Sequence, residues 1–190
     1  ALARGAYEAG VRVAASYPGT PASEILEYLS GFDDVESQWS INEKVAYEVS
    51  YGAAIGGVRS LYASKHVGLN VAMDPLMTSA YTGINAGLVI VSSDDPGIHS
   101  SQNEQDSRLV ARFAKLPLLE PSSPKEAYFF VKEAFKISER FNIPVMVRLT
   151  TRISHTKENI SLGARSEIPA KEFKIDIPKY LSLIHISEPT

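Results

Sequence analysis

Gly87-Leu88-Val89-Ile90-Val91-Ser92-Ser93-Asp94-Asp95 decides the fold. Its apolar half does not alternate with polar residues, as a strand wet on one face would. Unbroken apolar strands belong to parallel sheets covered on both faces. Four other runs carry the same signal: Val11 to Ala15, Arg59 to Ala63, Leu116 to Leu119 and Ile143 to Val147. Helix-like stretches lie between them. Leu2 to Ala9 stops at Gly10, a good C-terminal residue. Thr20-Pro21 reads as a cap followed by proline in the first turn, predicting a helix to about Leu29. Asn42 can cap a helix running through Val45, Val49 and Ala53. Ser123-Pro124-Lys125-Glu126 has the form of a capping box and predicts a helix to about Arg140. Strands alternating with helices predict an α/β fold, a doubly wound, mainly parallel sheet with helices on both faces and right-handed crossovers.

Ligands of such sheets bind beyond the carboxyl ends of the strands. The most polar segments of this chain stand at those ends: Tyr17-Pro18-Gly19-Thr20-Pro21, Ser64-Lys65-His66, Ser93-Asp94-Asp95-Pro96 and Arg148-Leu149-Thr150-Thr151-Arg152. After Thr151 the pattern decays into mixed, charged sequence that reads as linker.

Composition narrows the function. The 190 residues carry 19 Lys plus Arg against 22 Asp plus Glu, a net charge of −3, which disfavours a general nucleic-acid binder. No cysteine is present, so this stretch holds no disulfide, thiol nucleophile, zinc–thiolate site or iron–sulfur cluster. No apolar run reaches the ~20 residues that span a bilayer. The sequence has no recognisable signal peptide and begins with Ala1 rather than Met, so it reads as a cytoplasmic fragment.

Phosphate-cradling loops are missing: there is neither GxGxxG nor GxxxxGK[ST]. His66, His99, His155 and His185 are too dispersed for metal-ligand spacing. Glu43 directly follows the capping Asn42 and, on spacing alone, is a carboxylate that complements a helix dipole. Thr20 is a helix cap or a ligand-facing hydroxyl. The stretch from Ser92 to Arg108 is a solvated loop or a ligand-contacting one.

Several motifs in fixed order carry a resemblance. They are Tyr17-Pro18-Gly19-Thr20-Pro21, Trp39 to Ala46, Lys65-His66-Val67-Gly68-Leu69-Asn70, Asp74-Pro75-Leu76-Met77, Asp94-Asp95-Pro96-Gly97, His99 to Arg108 and Leu119-Glu120-Pro121-Ser122. Together they resemble the 2-oxoacid:ferredoxin oxidoreductases, in particular the alpha subunits of the indolepyruvate branch. The resemblance runs to about Tyr180. It implies the pyrimidine-binding domain of a thiamine diphosphate enzyme over residues 1–155, with 156–180 a linker toward a further domain. The last ten residues, 181–190, depart from the family and read as translated adapter sequence, which leaves His185 without a role.

The resemblance implies roles for named residues. Glu43 matches the carboxylate that shares a proton with the aminopyrimidine of the cofactor, and is both catalytic and cofactor-binding. That role requires burial to win over the helix N-terminus, which favours the anion. Pro18 and Gly19 belong to the cofactor's side of the site. Thr20, Lys65 and His66 are implied to line the substrate pocket. Pyruvate-specific relatives present an arginine after the strand that here ends in Asp94-Asp95; its loss leaves His99, Gln102 and Asn103 as candidates for the substrate carboxylate. Mg²⁺ and four-iron four-sulfur clusters are expected only in other parts of the complete subunit. The implied reaction oxidatively decarboxylates an arylpyruvate to its acyl-CoA, with electrons going to ferredoxin. The implied partners are a beta subunit and a second copy of the subunit, and no nucleic acid or membrane. Residues 1–180 alone are expected to be inactive and to bind thiamine diphosphate weakly. Two alternatives remain open: an oxidoreductase for pyruvate or 2-oxoglutarate, or a non-catalytic α/β binding module.

Overall fold

In a computed structural model, residues 1–173 are described. The adapter-like segment and His185 lie outside them. Six parallel strands form one sheet: β1 Val13–Ser16, β2 Glu36–Trp39, β3 Ser60–Lys65, β4 Leu88–Asp94, β5 Leu118–Leu119 and β6 Val145–Thr150, in the order β2-β1-β3-β4-β6-β5. The helices are α1 Leu2–Glu8, α2 Ser23–Leu29, α3 Glu43–Ile55, α4 His66–Val71, α5 Met73–Thr82, α6 Ser107–Ala114, α7 Pro124–Phe141 and α8 Thr151–Ser154.

Alternate strand residues feed two separate cores, as a sheet covered on both sides demands. Leu61, Ala63, Val89, Val91, Val145 and Val147 pack against α1, α2 and α7. Tyr62, Leu88, Ile90 and Met146 pack on the other face with Tyr47, Leu69, Leu76 and Ala111 from α3 to α6. The chain leaves β1 for β2 on one side and returns to β3 on the other, so the topological switch lies at β1 and β3.

Two local expectations are corrected. The sheet has a sixth strand, β2, whose sequence Glu36-Ser37-Gln38-Trp39 is polar because it is a largely exposed edge. Thr20 does not cap α2. The Gly19 amide donates to the Ser23 hydroxyl (2.8 Å) and the Ala22 amide to the Gly19 carbonyl, so a closed turn precedes the helix and holds Pro21. The other two caps form as read: Asn42 accepts from the Val45 amide, and Ser123 accepts from the Glu126 amide.

Residues 156–173 contain no helix or strand and run past the amino ends of the strands. The Ser166 amide donates to the Glu8 carbonyl, and the Lys171 amide to the Gly57 carbonyl, each at 2.8 Å. Gly57 (φ +101°) is required here: a Cβ would lie 1.9 Å from the Lys171 carbonyl oxygen. Among the described residues no helix is long and apolar enough to cross a membrane.

Candidate active site

Three connections converge at the carboxyl end of the switch. The loop after β1 carries Pro18, Gly19 and Thr20; the turn after β2 ends in Asn42 and delivers Glu43 as the first residue of α3; β3 ends in Lys65 and runs directly into α4. Glu43 and α4 lie on the same face of the sheet. The Glu43 side chain rests on Gly68 of α4, where a Cβ would come 2.6 Å from both its Cγ and its Oε1. Gly68 is buried, Glu43 half-buried. Among the described residues the Glu43 carboxylate has no hydrogen-bond donor and no cation within 4.0 Å.

The strand and helix beside it carry buried polar atoms that have no hydrogen-bond partner among the described residues: the Tyr62 and Ser64 hydroxyls of β3 and Nδ1 of His66 at the start of α4. Burial pushes the Tyr62 hydroxyl well above the usual tyrosine range, the Ser64 hydroxyl offsets this in part, and the Glu43 charge adds to the rise. Such groups are uncommon in native interiors and mark places where a ligand or water completes the bonding.

A loop from Asp95 to Asp106 closes over these ends. His66 is buried, and its Nε2 lies 3.0 Å from the Asn103 carbonyl, which it meets as donor. The Lys65 ammonium donates to the Ser100 carbonyl (3.2 Å), and the Ser100 hydroxyl to the Thr20 carbonyl (3.5 Å). Gly19 packs on the Lys65 stem; a Cβ there would sit 3.1 Å from Cδ. Thr20, Lys65, His66 and Asn103 are thus tied to one loop. His99 and Gln102 are exposed on it, and Asn103 uses its Oδ1 to accept from Gln105. None of the three is shown touching Glu43.

The two aspartates after β4 are committed to structure. Asp94 accepts from Arg148 Nε (2.6 Å) and from the Ser107 amide (3.0 Å), and Arg148 also grips Glu120. Asp95 accepts from the Thr151 hydroxyl (2.7 Å), the Ser100 amide (2.7 Å) and the Ser101 hydroxyl (2.8 Å). Burial pushes Asp95 up, but these donors outweigh it and hold the carboxyl well below the usual aspartate range. Gly68 and Tyr62 were missed as site residues. Gly68 could not be read as one, because α4, the helix that holds it, starts without a side-chain cap to mark it.

The family comparison decides what this site belongs to. Residues 4–184 match the model of the pyruvate flavodoxin/ferredoxin oxidoreductase, thiamine diP-bdg family. The chain belongs to that family. It is 51% identical over 176 residues to indolepyruvate oxidoreductase subunit IorA of Methanothermobacter thermautotrophicus, covering 91% of this chain and 28% of that protein. The IorA subunit of Archaeoglobus fulgidus is 50% identical over 180 residues, with the same coverage. The 2-oxoglutarate synthase subunit KorA of that organism is 30% identical, over 90% of this chain and 52% of its own length. Among solved structures, a 2-oxoglutarate:ferredoxin oxidoreductase from Magnetococcus marinus with 2-oxoglutarate, coenzyme A and succinyl-CoA bound has a similar fold. Its TM-score is 0.67 at 20% identity, over 80% of this chain and 28% of that one. The chain therefore spans little more than a quarter of the length of the IorA proteins it matches.

The residues present fit the pyrimidine end of thiamine diphosphate. An uncommitted carboxylate rests on a glycine that leaves it room, beside a strand and helix whose buried polar atoms lack partners among the described residues. Among the described residues no three His, Asp or Glu side chains gather as a metal site.

Proposed function

We propose that the chain is the pyrimidine-binding part of a cytoplasmic, thiamine-diphosphate-dependent oxidoreductase that converts an arylpyruvate such as indolepyruvate, coenzyme A and oxidised ferredoxin to acyl-CoA, CO₂ and reduced ferredoxin. The observation that carries the reading is the Glu43 carboxylate, uncommitted and lying on Gly68 at the switch point. When bound, thiamine diphosphate supplies the nucleophilic carbon and the electron sink for decarboxylation. Glu43 holds the proton at the aminopyrimidine edge. Gly68 keeps the α4 backbone low enough for Glu43 to lie there. The Asp95–Asp106 loop, tied to Lys65 and His66, excludes water from one side.

Glu43 is only half-buried in this chain alone, whereas its role requires a dry carboxyl. We infer that the missing cover comes from a second subunit carrying the diphosphate- and Mg²⁺-binding part. Iron–sulfur clusters and the beta subunit then belong to the rest of the assembly. Residues 1–155 form the domain, and 156–180 lead toward the next one. The higher identity to indolepyruvate than to 2-oxoglutarate subunits favours an aromatic substrate. The test is ferredoxin reduction by the complete complex with indolepyruvate, phenylpyruvate, pyruvate and 2-oxoglutarate. Aryl substrates should turn over fastest, and Glu43→Gln should lower turnover at least 100-fold with every substrate. Faster turnover of 2-oxoglutarate, or full activity in the Glu43→Gln variant, would overturn the reading.

A further inference from the structure

The arginines at the carboxyl edge differ in one respect. Arg148 is locked between Asp94 and Glu120, and Arg108 between Asp106 and Glu120. Arg152, in α8 just after β6, has no carboxylate within 4.0 Å among the described residues, and its guanidinium makes no hydrogen bond there. It lines a cleft of about 720 Å³ together with Pro96, His99, Thr151, His155 and Thr156. His155 also shares a narrow crevice with Thr20, so the cleft adjoins the turn after β1. β6 stands two places from β3 in the sheet, about 10 Å across at the usual strand spacing. The side chain of Glu43, from α3, rests on α4, which starts where β3 ends.

We infer that this cleft binds the carboxylate of the 2-oxoacid and that Arg152 is its charged partner. The inference deepens the proposed reaction and rests on it. A planar guanidinium with free donors pairs with one carboxylate through two parallel hydrogen bonds. The Thr150 hydroxyl and the imidazoles of His99 and His155 supply further polar groups, while Pro96 and the methyl groups of Thr151 and Thr156, whose hydroxyls donate to Asp95 and to the Arg152 carbonyl, supply apolar wall. One unpaired guanidinium suits one negative charge. Asp94 and Asp95 stand beside Thr150 and Thr151, and their charges are already engaged by Arg148 and by the Thr151, Ser100 and Ser101 donors, bonds that support the floor of the cleft.

The test uses the complete complex and Arg152→Gln, with Arg152→Lys as the charge-conserving variant and exposed Arg12→Gln as a control far from the cleft. Steady-state kinetics with indolepyruvate should show KM raised about 10- to 100-fold for Arg152→Gln, less for Arg152→Lys, and unchanged for Arg12→Gln. The KM for coenzyme A should not move. Calorimetric titration with indole-3-lactate, a carboxylate that cannot react, should show the same loss of affinity without turnover. An unchanged KM and unchanged indole-lactate binding in Arg152→Gln would overturn the inference. So would a rise confined to the coenzyme A KM, which would make the cleft a phosphate site. A wild-type complex that fails to oxidise aryl 2-oxoacids yet loses indole-lactate binding in Arg152→Gln would sink the proposed reaction and leave the carboxylate site standing.

Discussion

The two ends of the sheet use their charges differently. At the amino end three ion-pair clusters hold the fold. Glu8 is buried and accepts from Arg4 (2.8 Å), the Gly163 amide (2.8 Å), Lys132 (2.5 Å) and Tyr128. Arg59 pairs with Glu139 at 2.7 Å and donates to the Ala9 carbonyl. Arg165 pairs with Asp34 at 2.8 Å and lies over the Tyr7 ring, which stacks on Phe32. At the carboxyl end Asp94 and Asp95 are matched, but among the described residues the half-buried Glu43, the exposed Arg152 and the buried Nδ1 of His66 have no partner. A fold loses stability by leaving buried polar groups unpaired. Among the described residues such atoms occur at both ends, Nη1 of Arg165 at the amino end and the Ser64 hydroxyl and Nδ1 of His66 at the carboxyl end; the carboxyl end adds the half-buried Glu43 carboxylate resting on Gly68.

Substitutions test the contrast. The largest loss of stability is expected for Asp94→Asn, which leaves the buried Arg148 short of a charge. About 3 kcal/mol should be lost in urea unfolding. A loss below about 1 kcal/mol, the worth of an ordinary exposed pair, would show that this carboxyl-end pair is not holding the loop. Glu8→Gln should cost about 2 kcal/mol, since charge-assisted hydrogen bonds are lost on both oxygens. Burial pushes Glu8 up, but Lys132, Tyr128, Arg4 and the Gly163 amide outweigh it and hold the carboxyl down to about 2. Its stabilisation is therefore complete above the ordinary value of 4.5 and drains as pH falls from there toward 2. Thermal melts of the wild type should show that acid limb, and the Glu8→Gln variant should lack this part of it.

Gly57→Ala should cost about 1–2 kcal/mol, through positive φ and the clash with Lys171, and should expose residues 165–173 to limited proteolysis. An equally protected strap would mean that its contacts with the amino end do not hold it. The smallest effect belongs to Lys44→Ala. Lys44 pairs with Asp74 at 2.8 Å on an exposed surface, where such pairs give less than about 1 kcal/mol. Its melting temperature should be nearly unchanged.

The unbroken apolar runs made the parallel sheet legible, because burial on both faces leaves no polar alternation. Edge strand β2 escaped notice for the opposite reason: Glu36-Ser37-Gln38-Trp39 faces water and looks like loop. Helices α4 and α5 were not read because Lys65 and Ala72 stand at their starts without a side-chain cap, and Pro75 falls inside α5. The position of Glu43 at a helix start was legible from the capping Asn42 before it. The partners of Asp94 and Asp95 were not legible. Arg148 and Thr151 lie more than fifty residues away in sequence, and only adjacency of β4 and β6 brings them together. Gly68 needed the structure for the same reason, since its use depends on Glu43 from another helix.

The most direct test of the central claim is exchange of the C2 proton of bound thiamine diphosphate with solvent deuterium in the complete complex. If Glu43 activates the aminopyrimidine, Glu43→Gln should slow that exchange at least 100-fold while cofactor affinity and thermal stability change little. Exchange at the wild-type rate in the Glu43→Gln variant would contradict the account.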